Sequence, residues 1–194
     1  GGVMRLSDLL AQAQDAAASR LKEAGLAADM DEPERDEIAR LVGLSAIKFS
    51  DLQNARTTNY IFDLDRFTAF EGKTGPYLLY ATVRIKSLLR KAEKLGISPG
   101  PIKPETKTEK ALVLTLDSFD KALATAEAKR MPHIICDHVF ALAQAFSKFY
   151  AECPILAESV PQDTKRSRLA LAALTLRQLE LGLELLGIET PARM

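Results

Sequence analysis

Apolar residues recur along most of the chain with the spacing of amphipathic helices. Positions i, i+3, i+4 and i+7 share one face of a helix. No segment alternates convincingly between apolar and polar residues, as a half-buried strand would. The pattern therefore predicts an all-α protein, a helical bundle, with helices near residues 7–24, 33–42, 76–95, 106–117, 118–131, 132–152 and 164–186.

Two segments lack this helical period, and we predict that they connect helices. Residues 52–74 read as a long ordered loop or short helical turns, and such a length without periodicity is often functional or packed against a neighbour. Residues 97–105, ISPGPIKPE, form a linker rich in proline and glycine. Thr106 and Glu109 then have the spacing of a capping box that opens the next helix.

The triplet Gly72-Lys73-Thr74 resembles the end of a nucleotide-binding P-loop, but its context excludes one. A phosphate cradle requires G-x-x-x-x-G-K-[ST], and the position five residues before Gly72 is Phe67. Pro76 suits the first turn of a helix, where its missing N–H is not needed. The triplet is therefore predicted to form a turn that leads into a new helix.

The helix predicted over 76–95 carries two distinct stripes at helical spacing. One is apolar and predicts the core face: Leu78, Ala81, Ile85, Leu88, Ala92 and Leu95. The other lies roughly 95° around the helix and consists of Tyr77, Tyr80, Arg84, Ser87 and Lys91. Aromatic rings beside cations can stack unpaired bases and hold phosphates. From spacing alone, half-buried tyrosines that serve only packing are the alternative.

Charge and composition exclude several protein classes. The 194 residues have a net charge of zero, which hides basic segments such as 84–94, RIKSLLRKAEK, and an acidic segment at 29–37. Two interpretations stay open for the basic segments, an exposed helix face and a strip that binds phosphate. No apolar run approaches the roughly 20 residues of a membrane span, and no signal-peptide pattern opens the chain. Cys136 and Cys153 form no C-x-x-C pair, so reduced thiols are expected.

The segment PHIICDH raises the possibility of zinc. It contains His133, Cys136, Asp137 and His138. On a helix, however, the two histidines point about 140° apart, whereas zinc ligands must converge tetrahedrally. We therefore expect no metal site here, and His138 is predicted to be a core or interface residue.

Four blocks, in order, resemble the C-terminal part of arginyl-tRNA synthetases. EGKTGPYLLYATVR (71–84) is similar to that family's E-G-[ND]-T-G-P-Y-L-Q-Y-A-H-x-R, which opens its anticodon-binding domain. The segment 46–67 resembles [AG]-I-[KR]-Y-x-D-L…R-x-x-[DN]-Y-x-F-D-x-D, and 138–156 resembles Y-x-L-A-x-x-F-x-x-F-Y-x-x-C-P-[VI]-L. The end of the chain is similar to the terminal P-x-R-M. The resemblance covers essentially the whole sequence.

The resemblance implies a set of residues that bind tRNA. The motif tyrosines and arginine fall on Tyr77, Tyr80 and Arg84, the tyrosine of F-x-x-F-Y on Tyr150, and the terminal methionine on Met194. These would surround unstacked anticodon bases, with Lys73 and Lys91 near phosphates. Three positions depart from the motif, since Leu79, Thr82 and Lys73 replace its usual glutamine, histidine and asparagine or aspartate. Leu79 is expected to pack instead.

The resemblance also implies what surrounds this domain. The HIGH-like and KMSKS-like motifs of the catalytic domain are missing from this sequence, so we expect residues 1–50 to connect to that domain and residues 51–194 to form the anticodon-binding domain. The chain alone would need no cofactor and would not catalyse. The parent would be a cytoplasmic, monomeric arginine–tRNA ligase that uses ATP with Mg²⁺, and tRNA(Arg) and the catalytic domain would be its partners. The alternatives are a helical protein-interaction module and an RNA-binding bundle without tRNA selectivity.

Overall fold

The computed structural model describes residues 5–194, and these form eight helices and no strand. The all-α prediction is therefore confirmed for this part of the chain. The sequence of residues 1–6, GGVMRL, resembles the segment that follows the KMSKS-like loop in arginyl-tRNA synthetases. Its first four residues lie outside the described part of the chain. The helices are α1 (Leu6–Glu23), α2 (Glu32–Leu52), α3 (Leu64–Phe67), α4 (Gly75–Lys94), α5 (Lys107–Asp117), α6 (Phe119–Lys129), α7 (His133–Glu152) and α8 (Gln162–Leu185).

Helix α4 lies at the centre of the bundle. It packs against α2, α7 and α8, while α1 packs against α2 and α5 and α6 pack against α7. The core that these helices share is contiguous and includes Phe49, Leu78, Phe146 and Leu179, each at most 1% exposed. Because α4 is buried on several sides, any side chain that it leaves at the surface stands on a rigid support.

Local chemistry sets most helix boundaries where the sequence predicts them. The Thr74 hydroxyl accepts from the Tyr77 N–H and opens α4. Thr106 and Glu109 form the predicted capping box at the start of α5. Helices α1, α4 and α8 are each followed by a glycine with positive φ, a backbone conformation that glycine adopts without steric penalty.

Helix α2 ends ten residues later than the sequence pattern predicts. The prediction ended it near Val42, before Gly43, but the helix continues to Leu52. A Cβ at Gly43 would lie 2.8 Å from the carbonyl carbon of Ala13. Gly43 therefore allows α1 to approach α2 closely, and it does not end the helix. The buried Phe49 in the added turns is part of the core.

The predicted core stripe of α4 is wrong at one position, Leu95. The other five members of that stripe are buried, but Leu95 is 55% exposed because the helix ends at Lys94 and Leu95 is its C-cap. The start of α8 differs in a smaller way. It begins at Gln162, after Pro161, rather than after a cap at Asp163 or Thr164.

The two thiols are free and lie inside the bundle. Cys136 is 0% and Cys153 is 2% exposed. Burial, the largest contribution, raises the pKa of the Cys136 thiol to about 12. Since the thiolate is the reactive form, we expect neither cysteine of the folded chain to react with a disulfide dye at pH 8.

Measuring absorbance during dye titration checks this expectation. Two thiols should react in denaturant and none in buffer. One rapidly reacting thiol in the folded protein would show that α7 or the turn after it opens locally.

No helix in the described part of the chain combines the length and apolar character that a bilayer crossing needs.

Candidate nucleic-acid interface

Tyr80 and Arg84 lie on the one flank of α4 that the bundle leaves partly open. Tyr80 is 36% exposed, and Arg84 one turn later is half-buried. The neighbouring positions Leu79 and Thr82 are fully buried, so the packing predicted for Leu79 is confirmed. The Thr82 hydroxyl donates to the Leu79 carbonyl. Thr82 therefore serves the core rather than this surface.

Two pairs of aromatic rings connect α4 to its neighbours, one to α7 and one to the loop before α4. The Tyr77 ring meets Phe140 edge-on with centroids 5.8 Å apart, and its hydroxyl oxygen lies 3.4 Å from Ser147 Oγ. The Tyr80 ring meets Phe70 edge-on at 6.4 Å. These contacts hold both phenol rings at fixed angles. Phe70 lies in the loop before α4 and Phe140 lies on α7. The spacing of residues within α4 therefore does not predict its contacts with these two rings.

Arg84 reaches across to α7 and covers the ring of Tyr150. The guanidinium carbon lies 4.2 Å from the ring centroid, a cation–π contact. Phe146 packs on the same tyrosine with centroids 6.0 Å apart. Arg84 and Tyr150 are both half-buried, and Tyr150 therefore lies between the Arg84 guanidinium and the core residue Phe146.

The predicted lysines lie at the two ends of this surface. Lys73, just before α4, has its ammonium 2.5 Å from a carboxylate oxygen of Asp137 on α7. Its side chain is 33% exposed, so the ion pair remains open to solvent. Lys91 is exposed two turns beyond Arg84. The structure thus brings Tyr77, Tyr80, Arg84 and Tyr150 together, with Lys73 and Lys91 outside that group.

The C-terminal tail is fastened along α4. Lys86 donates to the Pro191 carbonyl at 2.9 Å, and Arg90 donates to the Ala192 carbonyl at 3.0 Å. Arg193 forms a bidentate pair with Glu34 at the start of α2. These contacts leave Met194 half-buried against the core. Sequence reasoning missed all three basic residues because their partners are about 100 or more positions away.

Among residues 5–194, no three His, Cys, Asp or Glu side chains are grouped closely enough to hold a metal ion. His138 is buried, 7% exposed, and its ring stacks at a tilt on Phe119 with centroids 5.1 Å apart. Burial lowers the pKa of His138, although Gln178 opposes the shift, so the ring is neutral at pH 7. His138 is a core residue, as predicted. His133 lies at the start of α7, partly exposed at a surface cavity.

Two family profiles match this chain. The profile of the DALR anticodon binding domain matches residues 78–194, which is more than half of the sequence and includes most of α4 and all of α5 to α8. The chain belongs to the DALR anticodon-binding domain family. The profile described as tRNA synthetases class I (R), catalytic domain, matches residues 1–64. The DALR domain here therefore contains the exposed tyrosine, the arginine and the tail described above.

Curated relatives and solved structures agree with the DALR assignment. The chain is 61% identical over its whole length to the arginine–tRNA ligase of Maricaulis maris and 56% identical to that of Hyphomonas neptunium. It spans about a third of the length of each, 33%. Its fold is similar to the Thermus thermophilus arginyl-tRNA synthetase, with a TM-score of 0.88 and 32% identity, covering 100% of this chain and 33% of that one.

Proposed function

We propose that this chain binds the anticodon loop of tRNA(Arg) and holds the tRNA for attachment of arginine by a catalytic domain. The DALR family and the named relatives support an anticodon-binding role. The observation that carries the proposal is the exposed Tyr80 ring, one helical turn before the half-buried Arg84, on a helix that is largely buried elsewhere. Flat, rigid, partly charged surfaces of this kind stack unpaired bases.

Each residue of the proposed site has a distinct part. Tyr80 and the guanidinium of Arg84 would stack bases, while Tyr77 and Tyr150 would fix the positions of these groups from below. Met194, held by the fastened tail, would close the apolar side of the site. Lys91 would meet a backbone phosphate directly. Lys73 would do so by exchanging Asp137 for the phosphate, at the expense of an ion pair that solvent already screens.

The activity of the whole protein follows as part of the proposal. Residues 51–194 would be the anticodon-binding domain and residues 1–50 the connection to a catalytic domain of the same polypeptide, which would use ATP with Mg²⁺ to join arginine to tRNA(Arg). A monomeric parent in the cytoplasm completes the proposal. These statements rest on the resemblance of the sequence to arginyl-tRNA synthetases and on the names of its relatives.

The direct test measures tRNA binding by the 194-residue chain and its Tyr80→Ala variant. We expect the chain to bind a tRNA(Arg) transcript more tightly than a tRNA with an unrelated anticodon, with affinity falling as salt rises. Loss of one stacking ring should weaken binding by about 1–3 kcal/mol, or roughly 5- to 150-fold. Fluorescence anisotropy across a salt series measures both effects.

Leu174→Ala is the matched control. Leu174 has the same exposed fraction as Tyr80, 36%, but lies on α8, so its truncation should leave tRNA affinity unchanged. Equal affinity for all RNAs would favour a non-selective RNA-binding bundle. No binding at low salt, with a folded chain, would favour a protein-interaction module. Either result would contradict the proposal.

A further inference from the structure

A second candidate site lies at the start of α7, away from the tyrosines. A cavity of about 480 Å³ opens there between the segment after α2 and the turn that joins α6 to α7. Two arginines, Arg56 and Arg130, line it together with further polar residues that include Asn59 and His133. The DALR profile match begins at residue 78, and eight of the twelve lining residues come before that position.

The two arginines that line this cavity carry no ion pair within the described residues. Arg56 and Arg130 are both exposed. The carboxylate in the lining, Asp51, accepts a hydrogen bond from the Tyr60 hydroxyl at 3.3 Å. Arginine presents several N–H donors in one plane, the geometry that matches a phosphate group. The lining therefore suits an anion better than a cation or an apolar ligand.

The backbone of Arg130 gives an independent reason to expect a function. Arg130 ends α6 with φ 53° and ψ 48°, the left-handed conformation. Its N–H and that of Met131 complete the terminal hydrogen bonds of the helix to Glu127 and Ala126. Glycine is the usual residue here, and it holds the corresponding place after three other helices, at Gly25, Gly96 and Gly187. A non-glycine residue in this strained conformation that also lines a cavity is a reason to look for a ligand.

The cavity and the tyrosine surface lie along the same helix. His133, Asp137 and Phe140 share one face of α7, and they meet the cavity, Lys73 and Tyr77 respectively. At a rise of about 1.5 Å per residue, His133 is roughly 25 Å along α7 from Tyr150. That span exceeds a few stacked bases. A tRNA whose loop stacks on Arg84, above Tyr150, would therefore bring the backbone of its adjoining stem to the cavity.

We propose that Arg56 and Arg130 form a phosphate-binding site for the tRNA backbone outside the anticodon loop. This inference rests on the proposed function, because the tyrosine surface fixes where the loop lies. Such a contact positions the RNA without reading its sequence. It would set the angle at which the tRNA leaves this domain.

The test uses Arg130→Gly and Arg56→Gln in the 194-residue chain. Arg130→Gly removes the charge and also relieves the left-handed backbone, so the variant should unfold at an equal or higher temperature. A loss of binding then cannot come from misfolding. Lys129→Gln is the matched control, because it removes an exposed charge one residue away that does not line the cavity.

Each cavity variant should bind tRNA(Arg) about fivefold more weakly at 0.15 M salt and lower the slope of log K against log salt by about 0.7–0.9. Lys129→Gln should change neither quantity. A seven-nucleotide RNA with the anticodon-loop sequence lacks the stem phosphates, so its affinity should fall in Tyr80→Ala but not in Arg130→Gly.

Three results would overturn the proposal. Unchanged salt slopes in both cavity variants, with the Tyr80 effect intact, would reject this site and leave the proposed function standing. Absence of tRNA binding by the unaltered chain would reject both. Calorimetric binding of inorganic phosphate that Arg130→Gly abolishes, with unchanged tRNA slopes, would assign the cavity to a small phosphate compound instead.

Discussion

Replacing Glu109 by alanine is expected to lower the free energy of unfolding by about 3–5 kcal/mol, a drop in melting temperature of roughly 6–20 °C. Glu109 is 2% exposed. One carboxylate oxygen accepts from Arg168 Nε at 2.6 Å, and the other accepts from the N–H groups of Glu105 and Thr106. Its removal leaves the buried Arg168 without its counter-charge. The uncompensated buried charge is what makes the loss of stability large.

Two further variants check this interpretation by thermal and chemical denaturation. Replacing both partners with apolar residues, Glu109→Leu with Arg168→Met, should restore most of the lost stability, because no charge is then left buried. Glu37→Ala removes a carboxylate that is also bidentate to an arginine, Arg40, but on the surface, and it should leave the melting temperature nearly unchanged. Equal losses for Glu109→Ala and Glu37→Ala would contradict the buried-pair account.

The same carboxylate links stability to acid. Burial alone would raise the pKa of Glu109, but the hydrogen bonds from Thr106, Arg168 and Glu105 together hold it below its ordinary value of 4.5. The unfolded chain therefore binds this proton at higher pH than the folded chain does. The contribution of Glu109 to stability is full above about pH 4.5 and is lost as pH falls through the folded pKa. Glu109→Gln should remove this part of the acid dependence.

Gly75→Ala is expected to destabilise the fold by about 1–3 kcal/mol or more and to weaken tRNA binding with it. A Cβ at Gly75 would lie 2.5 Å from the backbone carbonyl carbon of Ser45 on α2. Alanine has the higher helix propensity, so any loss must come from the forced separation of α2 and α4. Since Tyr77 and Tyr80 follow within two turns, that separation would displace both rings.

A comparison with Gly182 identifies the source of the loss. A Cβ at Gly182 would meet a methyl group of Val139 rather than a backbone atom. Truncating the neighbour should therefore rescue one variant and not the other. The double variant Gly182→Ala with Val139→Ala should lose less stability than the sum of the losses of the two single variants. Adding Ser45→Ala to Gly75→Ala should restore no stability. Rescue by Ser45→Ala would show that the clash involves the serine hydroxyl instead.

Local sequence signals predicted the features that depend on nearby residues. The capping box at Thr106, the start of α4 after Thr74 and the burial of Leu79 were all predicted from short-range spacing, and the structure confirms them. The exposed stripe through Tyr80 also follows from helical geometry. Its role in binding tRNA stays a prediction that the experiments above address.

Features that depend on tertiary contacts could not be predicted in this way. Gly43 looks like a helix end in the sequence, and only the approach of Ala13 explains why α2 continues through it. The Asp137 partner of Lys73 and the Arg84–Tyr150 contact join residues more than 60 positions apart. The spacing of a single helix carries no information about such pairs. The resemblance to a family named Arg84 and Tyr150 as site residues without indicating that the two are in contact.

The fastened tail has a practical consequence for anyone handling this protein. Pro191 is buried, two backbone carbonyls of the tail are bound by α4, and Arg193 is tied to Glu34. Peptide fused after Met194 would emerge from a packed residue rather than from a free end. Affinity tags and fluorescent labels are better carried elsewhere, since a label at this position would perturb the surface it was meant to report on.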